Sequence, residues 1–288
     1  TAQELIIQSG FESGTAPETS LTRSGAQGDI HGFDPNLVPP NDWDAVENSP
    51  RFENIFLNFI GLPTDNYAEI VDDPAGKENK VLKFTSERDT SAMAQTSRCQ
   101  LELKMNPGHS MPALFSRTRI YIDPAVDLTL GEDSITNKWI MFSEMRDNFR
   151  IALYWYPHPS KPDDYIWAME GSDYSKAAGY TNEWPTQRNL TAPTPVGEWF
   201  SLETYYQRGP VGVGRIYVAI IREGEPKQVV FDFSNQRVQN STNPKDFSRW
   251  QGLKMYTSKE ALNFLNNRGT PMTVYFDDFE FWSGFPAK

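Results

Sequence analysis

Ten segments of this chain carry strand-type patterning for six to ten residues and stop at Gly, Pro, Asn or Asp, whereas only Lys259–Asn266 reads as a helix. The segments are Lys80–Ser86, Arg98–Met105, Leu114–Ile122, Lys138–Met145, Phe149–Tyr156, Glu198–Gln207, Gly214–Arg222, Gln228–Phe233, Gly252–Thr257 and Thr273–Trp282. Arg215–Arg222 and Lys227–Phe233, joined by Glu223-Gly224-Glu225-Pro226, read as a hairpin. Many short strands with almost no helix bury their apolar faces by stacking sheet on sheet. The expected fold is therefore all-β: a two-sheet antiparallel β-sandwich, one domain over residues 1–288. Gly10–Asn54 and Pro157–Pro195, rich in Gly, Pro, Asn, Asp and Ser, are expected to be long loops over a binding face.

Within these strands the side chains sort by parity. Arg98, Gln100, Glu102 and Lys104 alternate with Cys99, Leu101 and Leu103, so Cys99 belongs to the apolar side and reads as a core thiol. It is the single cysteine, which excludes an intrachain disulfide and a cysteine-rich metal site. Arg117, Arg119 and Tyr121 alternate in the same way against Thr118, Ile120 and Ile122, and the two polar faces read as the floor of one cleft. A formal net charge of −11 argues against nucleic acid and against anionic membranes as partners, yet leaves room for an anionic polysaccharide if the cleft is locally basic. No run of about 18 apolar residues occurs, so no membrane span is expected. No signal-peptide pattern opens the chain, which reads as the mature form of a secreted, periplasmic or cell-surface protein, acting as a monomer.

The closing run Val274-Tyr275-Phe276-Asp277-Asp278-Phe279-Glu280-Phe281-Trp282 resembles the last strand of concanavalin A-like polysaccharide lyases, glucanases and binding modules. Gly10-Phe11-Glu12-Ser13-Gly14 is similar to the matching opening strand, Gly197-Glu198-Trp199-Phe200-Ser201-Leu202-Glu203 to a G-E-W strand, and Gly252-Leu253-Lys254-Met255-Tyr256-Thr257 to the penultimate strand. The resemblance implies a jelly roll and a structural calcium tying the first strand to the last. Glu12 and Asp277 would be its side-chain ligands and Asp278 the reserve, since calcium takes carboxylate and carbonyl oxygens. The glucanase pattern Glu-x-Asp-x-x-Glu is absent.

Arg98-x-Gln100-x-Glu102 also resembles the Arg-x-Glu-Leu strand of alginate-lyase-like enzymes, at a spacing two residues longer than the tightest form. Lyase chemistry gives such residues work. β-Elimination removes the proton beside a uronate carboxylate, which requires that the carboxylate charge be neutralised by Arg or an amide. Arg98, Gln100 and Arg119 are the candidates for that role, with Glu102 orienting the arginines. Tyr256 is the candidate base and acid, tuned by Lys254 on the same strand face. Arg117, Tyr121, Glu144, Arg146, Trp155 and Tyr206 are candidate substrate contacts. The three histidines, His31, His109 and His158, fall in turn-rich segments without metal-ligand spacing, and His109 is a secondary candidate base. Two alternatives stay open. A hydrolase would use Glu102 and Glu144 as paired carboxylates. A glycan-binding protein would use aromatic faces such as Tyr154, Trp155, Tyr156, Trp167 and Trp184.

Overall fold

The computed structural model describes residues 3–20, 27–60, 65–87, 96–146, 148–175 and 179–287. The described strands form two antiparallel sheets. The nine-stranded sheet runs, edge to edge, β12 (Gly179–Asn189), β11 (Lys161–Ser175), β10 (Phe149–His158), β9 (Ile140–Met145), β16 (Arg249–Ser258), β7 (Thr96–Met105), β4 (Phe52–Ile60), β3 (Gln27–Gly32) and β2 (Thr15–Ser20). The eight-stranded sheet runs β15 (Gln228–Phe233), β14 (Arg215–Arg222), β13 (Trp199–Gln207), β8 (Ala113–Ile122), β17 (Met272–Trp282), β6 (Lys80–Ser86) and β5 (Asn66–Asp72), with β1 (Leu5–Ser9) also on β17.

Parity explains how the sheets meet. Cys99, Leu101 and Leu103 of β7 and Ile151, Leu153 and Trp155 of β10 join Leu114, Ile120 and Ile122 of β8 and Val274, Phe276 and Phe281 of β17 in one buried cluster. Each sheet thus gives its apolar face to a shared core and keeps the other face outward, the arrangement of a two-sheet β-sandwich. Helix α1 (Trp43–Glu47) sends Trp43 into this core, where its ring lies 6.0 Å from that of Phe279. Helix α2 (Lys259–Asn266) begins directly at the end of β16: Ser258 caps it by accepting from the Ala261 amide at 3.1 Å, and Ala261, Leu262 and Leu265 are buried. That anchor fixes the end of β16 that carries Tyr256. No helix among the described residues is long and apolar enough to cross a membrane.

The two segments expected as loops contain regular structure. Gly10–Asn54 holds β2, β3 and α1, and Pro157–Pro195 holds β11 and β12, fifteen and eleven residues long. The opening strand lies earlier than expected: β1 pairs Ser9 with Phe279 and Leu5 with Trp282, and residues 10–14 follow it. Phe11 there turns the chain at φ 54°, a conformation held by its buried ring, 6.2 Å from Trp43 and 6.5 Å from Phe279.

Candidate functional site

A bulge in β16 builds the site. Opposite β7, Gly252 pairs with Leu101 and Lys254 with Gln100, which leaves Leu253 as an extra residue at φ 38°. Strict alternation from Gln251 would send Lys254 inward. The extra residue shifts the parity, so Leu253 and Met255 enter the core while Gln251, Lys254 and Tyr256 share the outer face of the sheet. β9 is also out of step: Gln251 pairs with Glu144 and Tyr256 with Met141. Lys254 lies in the irregular stretch between those two pairs.

Tyr256 pairs directly with Arg98 across β7 and β16. Facing side chains of such a pair sit about 5 Å apart at their Cβ atoms. The Lys254 ammonium lies 5.1 Å from the Tyr256 ring centroid, and the Trp139 ring meets Tyr256 edge-on at 5.0 Å. Arg98 donates from Nη2 to Asn58 Oδ1 at 3.1 Å, and burial lowers its pKa. Tyr256, Trp139 and Arg98 are all partly open to solvent.

Beneath them runs a sealed polar row. Lys254 is fully buried, with Nζ 2.6 Å from Glu144 Oε2 and 3.4 Å from Gln251 Oε1, and Arg150 Nε reaches Glu144 Oε1 at 2.9 Å. Burial lowers the Lys254 ammonium to about 8 against the pull of Glu144. Burial alone would raise Glu144, but Lys254 and Arg150 outweigh it and hold the carboxyl at about 2. Glu102, also fully buried, accepts from Gln251 Nε2 at 2.7 Å and Gln100 Nε2 at 3.1 Å and pairs with Arg249. Arg150 donates to the Tyr154 hydroxyl, while Tyr156 donates to Glu170 at 3.1 Å. Burial raises the phenols of Tyr154, Tyr156 and Tyr180.

The central strands of this face are basic in an acidic chain. β7, β16, β9 and β10 place Arg98, Lys104, Arg150, Arg249 and Lys254 on it, and Arg146 follows β9, against only Glu102 and Glu144 from the same strands. Parity alone would have found Arg150, because Arg150, Ala152, Tyr154 and Tyr156 alternate with Ile151, Leu153 and Trp155. Gln251 and Arg249 carried no comparable signal, since their exposure to this face depends on the bulge.

Several expected site residues lie elsewhere. Arg117, Arg119 and Tyr121 belong to β8, in the other sheet, so the two polar faces do not form one floor. Arg117 is bound by Glu203 at 2.6 Å and Arg119 by Asp277 at 3.1 Å, and Tyr121 packs on Trp199 and Tyr275. Trp155 and Tyr206 are fully buried core residues; both share parity with their aliphatic strand neighbours. Gln100 and Glu102 face the right way but are sealed, so neither reaches a substrate carboxylate, and Glu102 holds Arg249 as its ion-pair partner. Arg146 donates to the Tyr180 hydroxyl at 2.9 Å. His109 lines a separate cavity beside Pro39, Pro40 and Arg51.

Asp277, expected with Glu12 as a calcium ligand, is engaged by donors of the protein itself, while burial, with Asp34 and Asp278 close by, raises the Glu12 carboxyl. Asp277 Oδ2 accepts from Asn79 at 2.9 Å and Arg119 at 3.1 Å, and Oδ1 from the Asp278 amide at 2.8 Å, so donors occupy both oxygens. Among the described residues no group of three His, Cys, Asp or Glu side chains is placed to hold a metal. Burial, and then Asp278, raise the Asp277 carboxyl to about 7. A carboxyl raised on folding contributes stability that is complete below its unfolded pKa, near 4, and is lost as pH climbs through about 7. Wild type is therefore expected to lose up to about 4 kcal/mol from this group between pH 4 and 8. Asp277→Asn flattens that decline in urea titrations at the two pH values; parallel pH dependence of variant and wild type would remove the assignment.

No family model matches the sequence, and no curated protein matches it. Among solved structures the chain is similar to a marine PL-14 alginate lyase from Aplysia kurodai, at 11% identity over 80% of this chain and 90% of that one, with a TM-score of 0.48. It is also similar to an endo-β-1,4-glucuronan lyase from the fungus Trichoderma reesei, at 13% identity over 96% of each chain and a TM-score of 0.47. A GH131 β-glucanase catalytic domain from Podospora anserina follows at 10% identity over 80% of each chain and a TM-score of 0.39. At these values the likeness goes no further than the general fold, which the two stacked sheets establish on their own: an antiparallel β-sandwich.

Proposed function

We propose that this protein is a polysaccharide lyase that cleaves a uronate-containing glycan by β-elimination. The observation that carries the reading is the direct cross-strand pair of Tyr256 and Arg98, above a buried Lys254 ammonium, on the basic central strands of one face of a chain whose net charge is −11. Arg98 holds the substrate carboxylate and takes up charge as the neighbouring carbon loses its proton. The Tyr256 phenolate accepts that proton, and the electron pair forms the new double bond as the glycosidic oxygen leaves. The same phenol returns a proton to the leaving oxygen. Lys254 acts from below as a positioning residue, since it is too deeply buried to touch the glycan. Trp139 and Tyr156 offer partly exposed rings for sugar faces. Such polymers lie outside the cytoplasmic membrane, and the reading places the protein there.

In the hydrolase alternative Glu144, held at about 2 by Lys254 and Arg150, could serve only as the ionised carboxylate of the pair, and Glu102, its partner, is fully buried. The test is incubation with alginate, glucuronan, ulvan and a heparinoid. Absorbance rising near the ultraviolet edge, from unsaturated uronate ends, is the expected result. New reducing ends without that absorbance would mean hydrolysis, and binding without either product would mean a lectin.

A further inference from the structure

At the end of the outer face remote from Tyr256, a cavity of about 520 Å³ crosses the sheet from β4 to β12. That volume falls within the range of about 300–1,000 Å³ typical of ligand sites. Four cations line it: Lys104 from β7, Arg249 from β16, Arg146 just after β9, and Lys245 from the loop before β16. The single carboxylate in the lining, Glu53, is taken by Lys104 at 2.5 Å. Arg249 shares its charge with Glu102 below. Arg146 and Lys245 have no carboxylate within 4 Å among the described residues. Arg146 is nonetheless held in place, because its guanidinium lies 5.3 Å from the Tyr180 ring centroid and donates to that hydroxyl. A fixed guanidinium with no carboxylate in direct contact loses little conformational freedom on meeting an anion, although Glu144 and Glu102 nearby also favour its charge.

Arg249 and Tyr256 are seven residues apart on one strand, roughly 20 Å at the usual strand rise. The cavity is therefore separate from the proton-transfer centre. Nothing in the elimination chemistry calls for cations at that distance, whereas a polyanionic chain lying over this sheet would present further charged groups there.

We propose that this cavity is a second anion-binding site, taking a carboxylate or sulfate ester of the glycan remote from the bond cleaved. The glycan as ligand rests on the functional reading above; anion binding by the cavity does not. Arg146 and Lys245 make the primary contacts, and Ser110 lines the same wall.

Binding measured by calorimetry on the Tyr256→Phe protein separates the two proposals, because it needs no turnover. Lys245 is exposed, so Lys245→Glu is expected to fold normally. In that background the variant should weaken binding of a long polyuronate about tenfold and lessen its salt dependence. Lys80→Glu, an equal charge reversal on the other sheet, should leave affinity nearly unchanged. A sulfated galactan lacking uronate forms the second arm: loss confined to one polymer identifies the anion. Equal effects of Lys245→Glu and Lys80→Glu, or no effect of Lys245→Glu on either polymer, would overturn the site.

Discussion

Tyr256→Phe should lower turnover of a responsive polyuronate by about 10³- to 10⁴-fold, the upper end of what one acid–base group supplies, because the same hydroxyl serves both proton transfers. Its effect on stability should be small, within about 0.5 kcal/mol, as for other substitutions that leave packing unaltered. Phenylalanine keeps the ring over the Lys254 ammonium and its edge contact with Trp139, and no protein hydrogen bond restrains the hydroxyl among the described residues. The split between the two readouts is what matters. If Tyr256 only packs, removing one oxygen leaves activity within tenfold of wild type. If it is the base, activity falls while Tm and polymer affinity stay put, since Arg98 and the aromatic faces still engage the chain. Residual turnover within a factor of ten, measured on protein of unchanged Tm, would withdraw Tyr256 from the chemistry.

The elements that sequence located best are those whose local chemistry and tertiary role agree. β6 and β15 match their expected segments to the residue, and so does α2, where Ser258 supplies the cap and apolar residues recur on one face. β11 and β12 were hidden by their own surface. Asp163, Asp164, Gly171, Ser172 and Gly179 read as turn residues, yet these strands lie toward one edge of the sheet and turn many polar side chains to solvent. Gly171 has a further reason to be glycine, because the Trp184 ring occupies the space a Cβ would need.

For the site, alternation told which residues share a face but not which sheet the face belongs to. Arg98 and Arg119 carry the same local pattern, and only long-range pairing sends β7 between β16 and β4 and β8 between β13 and β17. Density of aromatics misled for a related reason. Trp155 was grouped with Tyr154 and Tyr156, though adjacent strand residues point to opposite faces, and the parity of Ile151 and Leu153 already assigned it to the core. The bulge at Leu253 is the part no local rule supplies, since a left-handed leucine has no sequence signature. It decides whether Lys254 sits under Tyr256 or in the core.

That placement has a large consequence for stability. Lys254→Met should destabilise the fold by about 3–5 kcal/mol, the usual cost of leaving one member of a buried ion pair uncompensated. The shape is nearly kept, but Glu144 loses its 2.6 Å partner, and Arg150 at 2.9 Å is the ion-pair partner that remains among the described residues. Glu144→Gln should cost a similar amount by leaving the Lys254 ammonium enclosed near Arg98 and Arg150, both of which disfavour its charge. The double variant should cost less than the two added together, by about 1–3 kcal/mol, because neither charge is then left without the other. The pH dependence has a definite sign. Glu144 is lowered on folding, so its contribution is complete above its unfolded pKa near 4.5 and is lost as pH falls toward about 2. Wild type should therefore weaken steeply across that acid range, and Glu144→Gln should weaken less. Strictly additive costs in urea unfolding, together with identical acid limbs for wild type and Glu144→Gln, would show that the pair contributes nothing, and with it would go the reason for a lysine beneath Tyr256.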